Sequence, residues 1–285
     1  MHKDPRSCRE NPVSLRWIVQ LIVALALLNA TSLAAAQQFR AISSTRNKAV
    51  LWIAPQDIPS RNLLYGLRNE KSQSSGPFTF LKEDLGGTSP KFDVRDSSGD
   101  KWKAKLGYEA QPETVATRLL WAVGFITNEN YFLPETIVRD LPRLHRGGEF
   151  VKDESVKGVR LQRHSAGKKV GNWSWRHNPF IGTREFNGLR VMMALLSNWD
   201  LKDENNAVYE TTHDSDRQFY EVSDLGASFG RSGKSYSDSI TKHNPGAYHR
   251  SKFISKVTSD HVDFAFPTHP PFLFVFNLPY FIGQM

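Results

Sequence analysis

Cysteine is almost missing from this chain: Cys8 is the single one in 285 residues. It lies in an N-terminal segment that reads as removable. What remains has no disulfide, no thiolate nucleophile and no Cys-based zinc centre. Export normally permits disulfides, so this fold must be held by its core. The nine histidines include no H-E-x-x-H and no Cys/His spacing, which sets zinc aside. No G-x-S-x-G elbow occurs, which disfavours a serine hydrolase. Long basic runs and basic-aromatic stripes are missing too. The net charge of +8 therefore carries no nucleic-acid signature, and suits anionic ligands such as nucleotides or plain solubility. There is no internal repeat and no low-complexity segment.

The N-terminus has the three parts of a secretory signal peptide. Lys3, Arg6, Arg9 and Arg16 make a basic region, Trp17 to Leu28 an apolar run, and Ala34-Ala35-Ala36 a cleavage site before Gln37. The apolar run is short for a membrane span. The expected location is secreted or periplasmic, with no stable span after cleavage. An uncleaved N-terminal anchor is the alternative.

Along the chain, hydrophobic patterning predicts several elements. Lys91–Arg95 and Lys101–Leu106 alternate like strands around the turn cluster Asp96-Ser97-Ser98-Gly99-Asp100, which predicts a hairpin. Pro112 to Phe125 reads as a helix with Val115, Leu119 and Ala122 at helical spacing and Gly124 as its stop. A second helix spans Arg184 to Ser197, with Phe186, Leu189, Met193 and Leu196 as its apolar stripe. Ala207–Thr211 and Gln218–Val222 are short strands of a second hairpin. Asn172–Phe180 is an aromatic loop whose Trp173 and Trp175 more often belong to a core than to an interaction surface.

The chemistry-bearing stretch is Asp200-Leu201-Lys202-Asp203-Glu204-Asn205, followed nineteen residues on by Asp224-Leu225-Gly226. A D-x-x-x-x-N loop alone is common; the same loop followed by D-L-G across a hairpin is much less so. Phosphoryl transfer needs positioning and charge neutralisation more than covalent help. Asp200 suits the base, and Asn205 and Asp224 the ligands of Mg²⁺. Lys105 suits the phosphate-binding lysine, with Glu113 as its partner. Lys103 and Glu109 compete for those two roles. Gly86-Gly87, before Thr88-Ser89, suits a loop covering phosphates, although it is not G-x-G-x-x-G and a plain turn fits equally.

Over roughly residues 80–232 the chain resembles the atypical branches of the protein-kinase-like superfamily. Gly86-Gly87-Thr88-Ser89-Pro90-Lys91 with Lys105 and Glu113 is similar to HipA-type kinases. Asp224-Leu225-Gly226-Ala227-Ser228-Phe229-Gly230 looks like the D-x-G-x-x-F-G of secretory-pathway kinases. Asp200-Leu201-Lys202-x-Glu204-Asn205 looks like the catalytic loop of Ser/Thr kinases, a resemblance that implies Lys202 steadies the γ-phosphate; Asn198 and Trp199 replace the His-Arg that precedes the Asp in ordinary kinases, and no A-P-E segment follows Asp224. The resemblance implies a two-lobed α+β kinase-like fold. Residues 1–36 would be the signal peptide and 37–77 an arm or linker. Residues 78–157 would be a small nucleotide-binding lobe and 158–285 a larger catalytic lobe, its Phe- and Pro-rich end resembling a truncated one. It implies ATP and Mg²⁺ as cofactors and phosphoryl transfer to a protein or small-molecule acceptor. The alternatives are a non-catalytic, pseudokinase-type binding module of the cell envelope and, more weakly, a structural envelope protein.

Overall fold

A computed structural model of the chain describes residues 49–68, 72–163, 167–211, 214–231, 238–259 and 262–265. The expected signal peptide and the tail beyond residue 265 lie outside the described residues. The described residues fall in one compact unit. Among the described residues no helix is long and apolar enough to cross a membrane.

The centre of the fold is a closed five-stranded barrel. Its strands are β2 (Phe78–Glu83), β3 (Lys91–Arg95), β4 (Lys101–Leu106), β5 (Asn130–Arg139) and β7 (Ser155–Arg163), with β6 (Val151–Lys152) paired on β7. The order is β4-β3-β2-β5-β7, and β4 pairs with β7 to close the ring. Only β2–β5 is a parallel pair. Alternation decides what faces inward: Trp102, Ala104 and Leu106 of β4 join Val159 and Leu161 of β7 and Phe92 of β3 in a fully buried core. Closure leaves these five strands without a free edge.

A four-stranded sheet of order β1-β10-β9-β8 accompanies the barrel. It comprises β1 (Ala49–Val50), β8 (Lys168–Gly171), β9 (Asn206–Thr211) and β10 (Asp214–Val222). A second core gathers α1 (Ala110–Ala122) and α2 (Arg184–Leu196) with Trp173, Trp175 and Tyr220. The short helices α3 (Asp238–Thr241) and α4 (Pro245–His249) and the hairpin β11 (Ile254–Val257) and β12 (Val262–Phe264) follow.

The expected two-lobed kinase-like α+β fold does not hold. Strand dominates the described residues, and the barrel is its centre. The cause is β5, which no sequence signal announced. Pro134 interrupts its pattern, and a central proline argues against a strand. Here Pro134 falls between the pairs Leu133↔Val159 and Glu135↔Lys157, opposite the region of Gly158, whose φ is +63°. The ladder continues on both sides, and β7 is long enough to pair with β5 on one edge and β4 on the other.

Other expectations agree with the structure to the residue or nearly so. β3 and β4 have the expected bounds and pair through the expected turn. The stripe of α2 is buried at Phe186, Leu189, Met193 and Leu196, and Thr183 caps it by accepting the Phe186 N–H at 3.2 Å. In α1 the inward face is displaced from the expected one: Val115 is exposed, whereas Glu113, Ala116, Thr117 and Leu120 are buried. Trp173 and Trp175 are core residues.

Candidate functional site

The site begins with a like-charge pair on the barrel wall. Barrel closure sets Lys105 of β4 directly opposite Arg160 of β7. Both point away from the barrel core, by alternation with their inward neighbours, and both are buried under α1, at 5% and 3% exposure. Two cations facing each other across strands destabilise a sheet. Glu113 on α1 resolves this with one carboxylate oxygen for each. Its Oε2 accepts from Lys105 Nζ at 3.0 Å and its Oε1 from Arg160 Nη1 at 2.8 Å. Arg160 also donates to Gln162 Oε1 at 2.8 Å.

Two further carboxylates reach Lys105. Glu109, the residue before α1, approaches Nζ at 2.6 Å. Asp224 Oδ1 accepts from Nζ at 2.8 Å, across 119 positions of chain. The ammonium has three N–H donors and three carboxylates to receive them. Burial pulls the Lys105 pKa down, but Glu113, Asp224 and Glu109 together raise it well above the ordinary lysine range. The Lys105 charge holds the Asp224 pKa below its usual value, against burial. Burial likewise opposes ionisation of Glu109, and Lys105 and Lys242 overcome it, so that its pKa falls far below the carboxylate range.

Lys103 stands apart from this cluster. It pairs with Asp84 at 2.6 Å and Asp93 at 3.5 Å. Lys105 thus belongs to the cluster and Lys103 to a separate one, and Glu109 and Glu113 both pair with Lys105.

Asp224 follows β10 in the left-handed region, with φ +53°. A non-glycine residue pays for that conformation, and such residues cluster where function demands a direction. Its side chain is 47% exposed although the lysine it contacts is only 7% exposed. The carboxylate therefore has one end on the buried cluster and one toward solvent. The glycines that follow have steric reasons of their own. A Cβ on Gly226 would lie 2.6 Å from Glu109 Cβ, and one on Gly230 2.0 Å from the Thr241 carbonyl carbon.

The Asp200 loop emerges from α2 through Ser197, whose φ of +54° ends the helix. Trp199 and Leu201 are buried and pin the loop. Lys202 Nζ pairs with Asp200 Oδ1 at 3.0 Å, and Asn205 Nδ2 donates to the Asp200 carbonyl at 3.0 Å. The β9–β10 register pairs Asn206 with Val222. That brings the next residues out, Asn205 and Ser223, together, and the Ser223 hydroxyl donates to the Asn205 carbonyl. The Asp200 loop and Asp224 thus leave the same end of one hairpin.

Gly86 and Gly87 are exposed and outside this cluster. The Gly86 N–H donates to Asp84 Oδ1 at 3.0 Å, and the Gly87 carbonyl accepts from Arg146 at 2.5 Å. Their loop reaches the cluster through Ser89 instead, whose hydroxyl donates to Glu109 Oε2 at 2.8 Å.

Sequence reasoning missed Arg160, Ser89 and Lys242 as members of the site. Val159-Arg160-Leu161 shows by alternation that Arg160 faces away from the core, but not which strand it meets. Lys242 lies in a region with no pattern, and its Nζ comes to 2.5 Å from Glu109 Oε1. Among the described residues there is no group of three His, Cys, Asp or Glu able to hold a metal ion. No protein-family model and no curated protein matches the chain, so comparison identifies no family.

Proposed function

We propose that this chain binds Mg-ATP and transfers a phosphoryl group to a protein or small-molecule acceptor outside the cytoplasm. The observation that supports it most is the Lys105–Asp224 contact of 2.8 Å, with Glu113 on the same ammonium. A buried lysine held by a helix carboxylate, beside an ionised and half-exposed aspartate, is what binding of phosphate and metal together requires. The proposal rests on these residues and on no fold family.

The residues fit the group in a particular way. Mg²⁺ is commonly held by one or two carboxylates together with the nucleotide's own phosphates, and needs no all-protein cage. Asp224 and Asn205 would hold the ion, and Lys105 the phosphate oxygens. Bound Mg-ATP would supply the transferable phosphoryl group and the charge that neutralises it. Asp200 would accept the proton of the acceptor hydroxyl, and Lys202 would steady the γ-phosphate. The N-terminal sequence pattern supports export.

A second reading is favoured by one observation. All three Lys105 donors are matched by Glu109, Glu113 and Asp224. A cluster so satisfied suits a non-catalytic binding module in which these charges fasten α1 to the barrel.

Melting of the purified chain with and without Mg-ATP separates the two. A ligand that binds only the native state raises stability by about 2.7 kcal/mol at one hundred times its Kd. The phosphotransferase reading expects a magnesium-dependent rise that Asp224→Ala abolishes, and label moving from γ-labelled ATP to an acceptor. A folded protein with no shift supports the non-catalytic reading.

A further inference from the structure

Three donors converge on the carboxylate of Glu109. Lys105 Nζ lies 2.6 Å from Oε2, Ser89 Oγ 2.8 Å from the same oxygen, and Lys242 Nζ 2.5 Å from Oε1. They come from β4, from the loop before β3 and from the segment after α3, so no single element dictates their meeting. Two ammoniums and a hydroxyl around one oxyanion are the donor set that binds phosphate. A cavity of about 190 Å³ adjoins it, lined among others by Ser89, Tyr108, Glu109, Phe150 and Lys242.

We propose that Lys105, Lys242 and Ser89 form a subsite for a phosphate-type oxyanion, and that the Glu109 carboxylate occupies it here as an internal competitor. This names the anion-holding residues of the site proposed above and rests on that reading. Charge supports it. Lys105, Arg160 and Lys242 face Glu109, Glu113 and Asp224, three charges against three. The cluster is neutral with Glu109 in place and carries +1 once Glu109 turns out. Of the three carboxylates, Glu109 is the one that borders the cavity. Glu113 is 2% exposed and tied to Arg160 as well, and Asp224 is held in a left-handed turn. Glu109 is 15% exposed and stands at the helix start, beside the cavity. Glu149 also lines that cavity and is exposed. It opposes an anion there, so the oxyanion belongs at the Lys242–Ser89 end.

Titration calorimetry with inorganic phosphate, without magnesium, tests the subsite. Glu109→Gln keeps the size and removes the competing charge, and is expected to bind phosphate about tenfold or more tightly than the wild type. Lys242→Met in that background is expected to remove the gain. Equal affinity in Glu109→Gln and wild type overturns the proposal, as does a double variant that binds like Glu109→Gln. Should Glu109→Gln not fold, Lys242→Met alone decides: weaker phosphate binding than wild type supports the subsite, and unchanged binding overturns it. Failure of the nucleotide reading looks different. In that case Mg-ATP gives no shift sensitive to Asp224→Ala, whatever phosphate does.

Discussion

Arg160 and Glu113 form an ion pair of 2.8 Å in which the two side chains are only 4% and 2% exposed. It joins β7 to α1, and the same carboxylate carries Lys105 on its other oxygen. Removing one partner of a buried pair leaves an uncompensated charge, which typically costs about 3–5 kcal/mol. Arg160→Met should lower the unfolding free energy by an amount in that range. Equilibrium urea unfolding of variant and wild type measures it.

The two strand lysines should separate cleanly. Lys103 pairs with Asp84 and Asp93 at the partly exposed end of the sheet, and such pairs contribute about 0–1 kcal/mol. Lys103→Ala is expected to leave Mg-ATP binding intact and stability within about 1 kcal/mol of wild type. Lys105→Ala is expected to remove nucleotide binding and to destabilise strongly. Melting curves with and without Mg-ATP report both effects.

The inward face of α1 is checked by two truncations. Leu120 is fully buried and Val115 is 44% exposed. Leu120→Ala should cost about 2–5 kcal/mol, and Val115→Ala no more than about 0.5 kcal/mol. Equal losses in urea unfolding would contradict the orientation of the helix.

Stability should depend on pH at both extremes. Asp224 and Glu109 have folded pKa values below their ordinary ones. Their contribution is complete above about pH 5 and is lost as pH falls through the folded values. Lys105 has a raised folded pKa, so its contribution is complete below about pH 10 and lost as pH rises beyond it. Unfolding free energies between pH 3 and 7 should therefore decline toward acid, less steeply in Glu109→Gln than in wild type.

Gly124 takes φ +101°, and a Cβ there would lie 2.3 Å from the Ile53 carbonyl oxygen. Gly124→Ala should destabilise by about 1–3 kcal/mol, seen as a lower melting temperature. The sequence pattern placed this glycine as the end of α1, and its φ and its bond to the Trp121 carbonyl bear that out.

Local signals explain which parts were legible in advance. The Asp96–Asp100 turn and the alternation on either side specified the first hairpin, because turn chemistry and period-2 burial act over a few residues. The apolar stripe of α2 was legible for the same reason. In α1 it was not, because the inward face carries Glu113 and Thr117, whose burial depends on partners elsewhere. Pro134 hid β5, and with β5 hidden the barrel could not be foreseen.

By itself the sequence determined the residue types, the local elements and the order in which Lys105, Glu113, Asp200, Asn205 and Asp224 occur. It did not determine that the strands close, nor that Arg160, Ser89 and Lys242 join the cluster. Closure places Arg160 opposite Lys105 through a β4–β7 pairing of residues some fifty-five positions apart. Such a contact depends on the whole set of strand registers and on burying one shared apolar core. Neither is written in any window of the chain, so only the tertiary structure decided the electrostatics of the site.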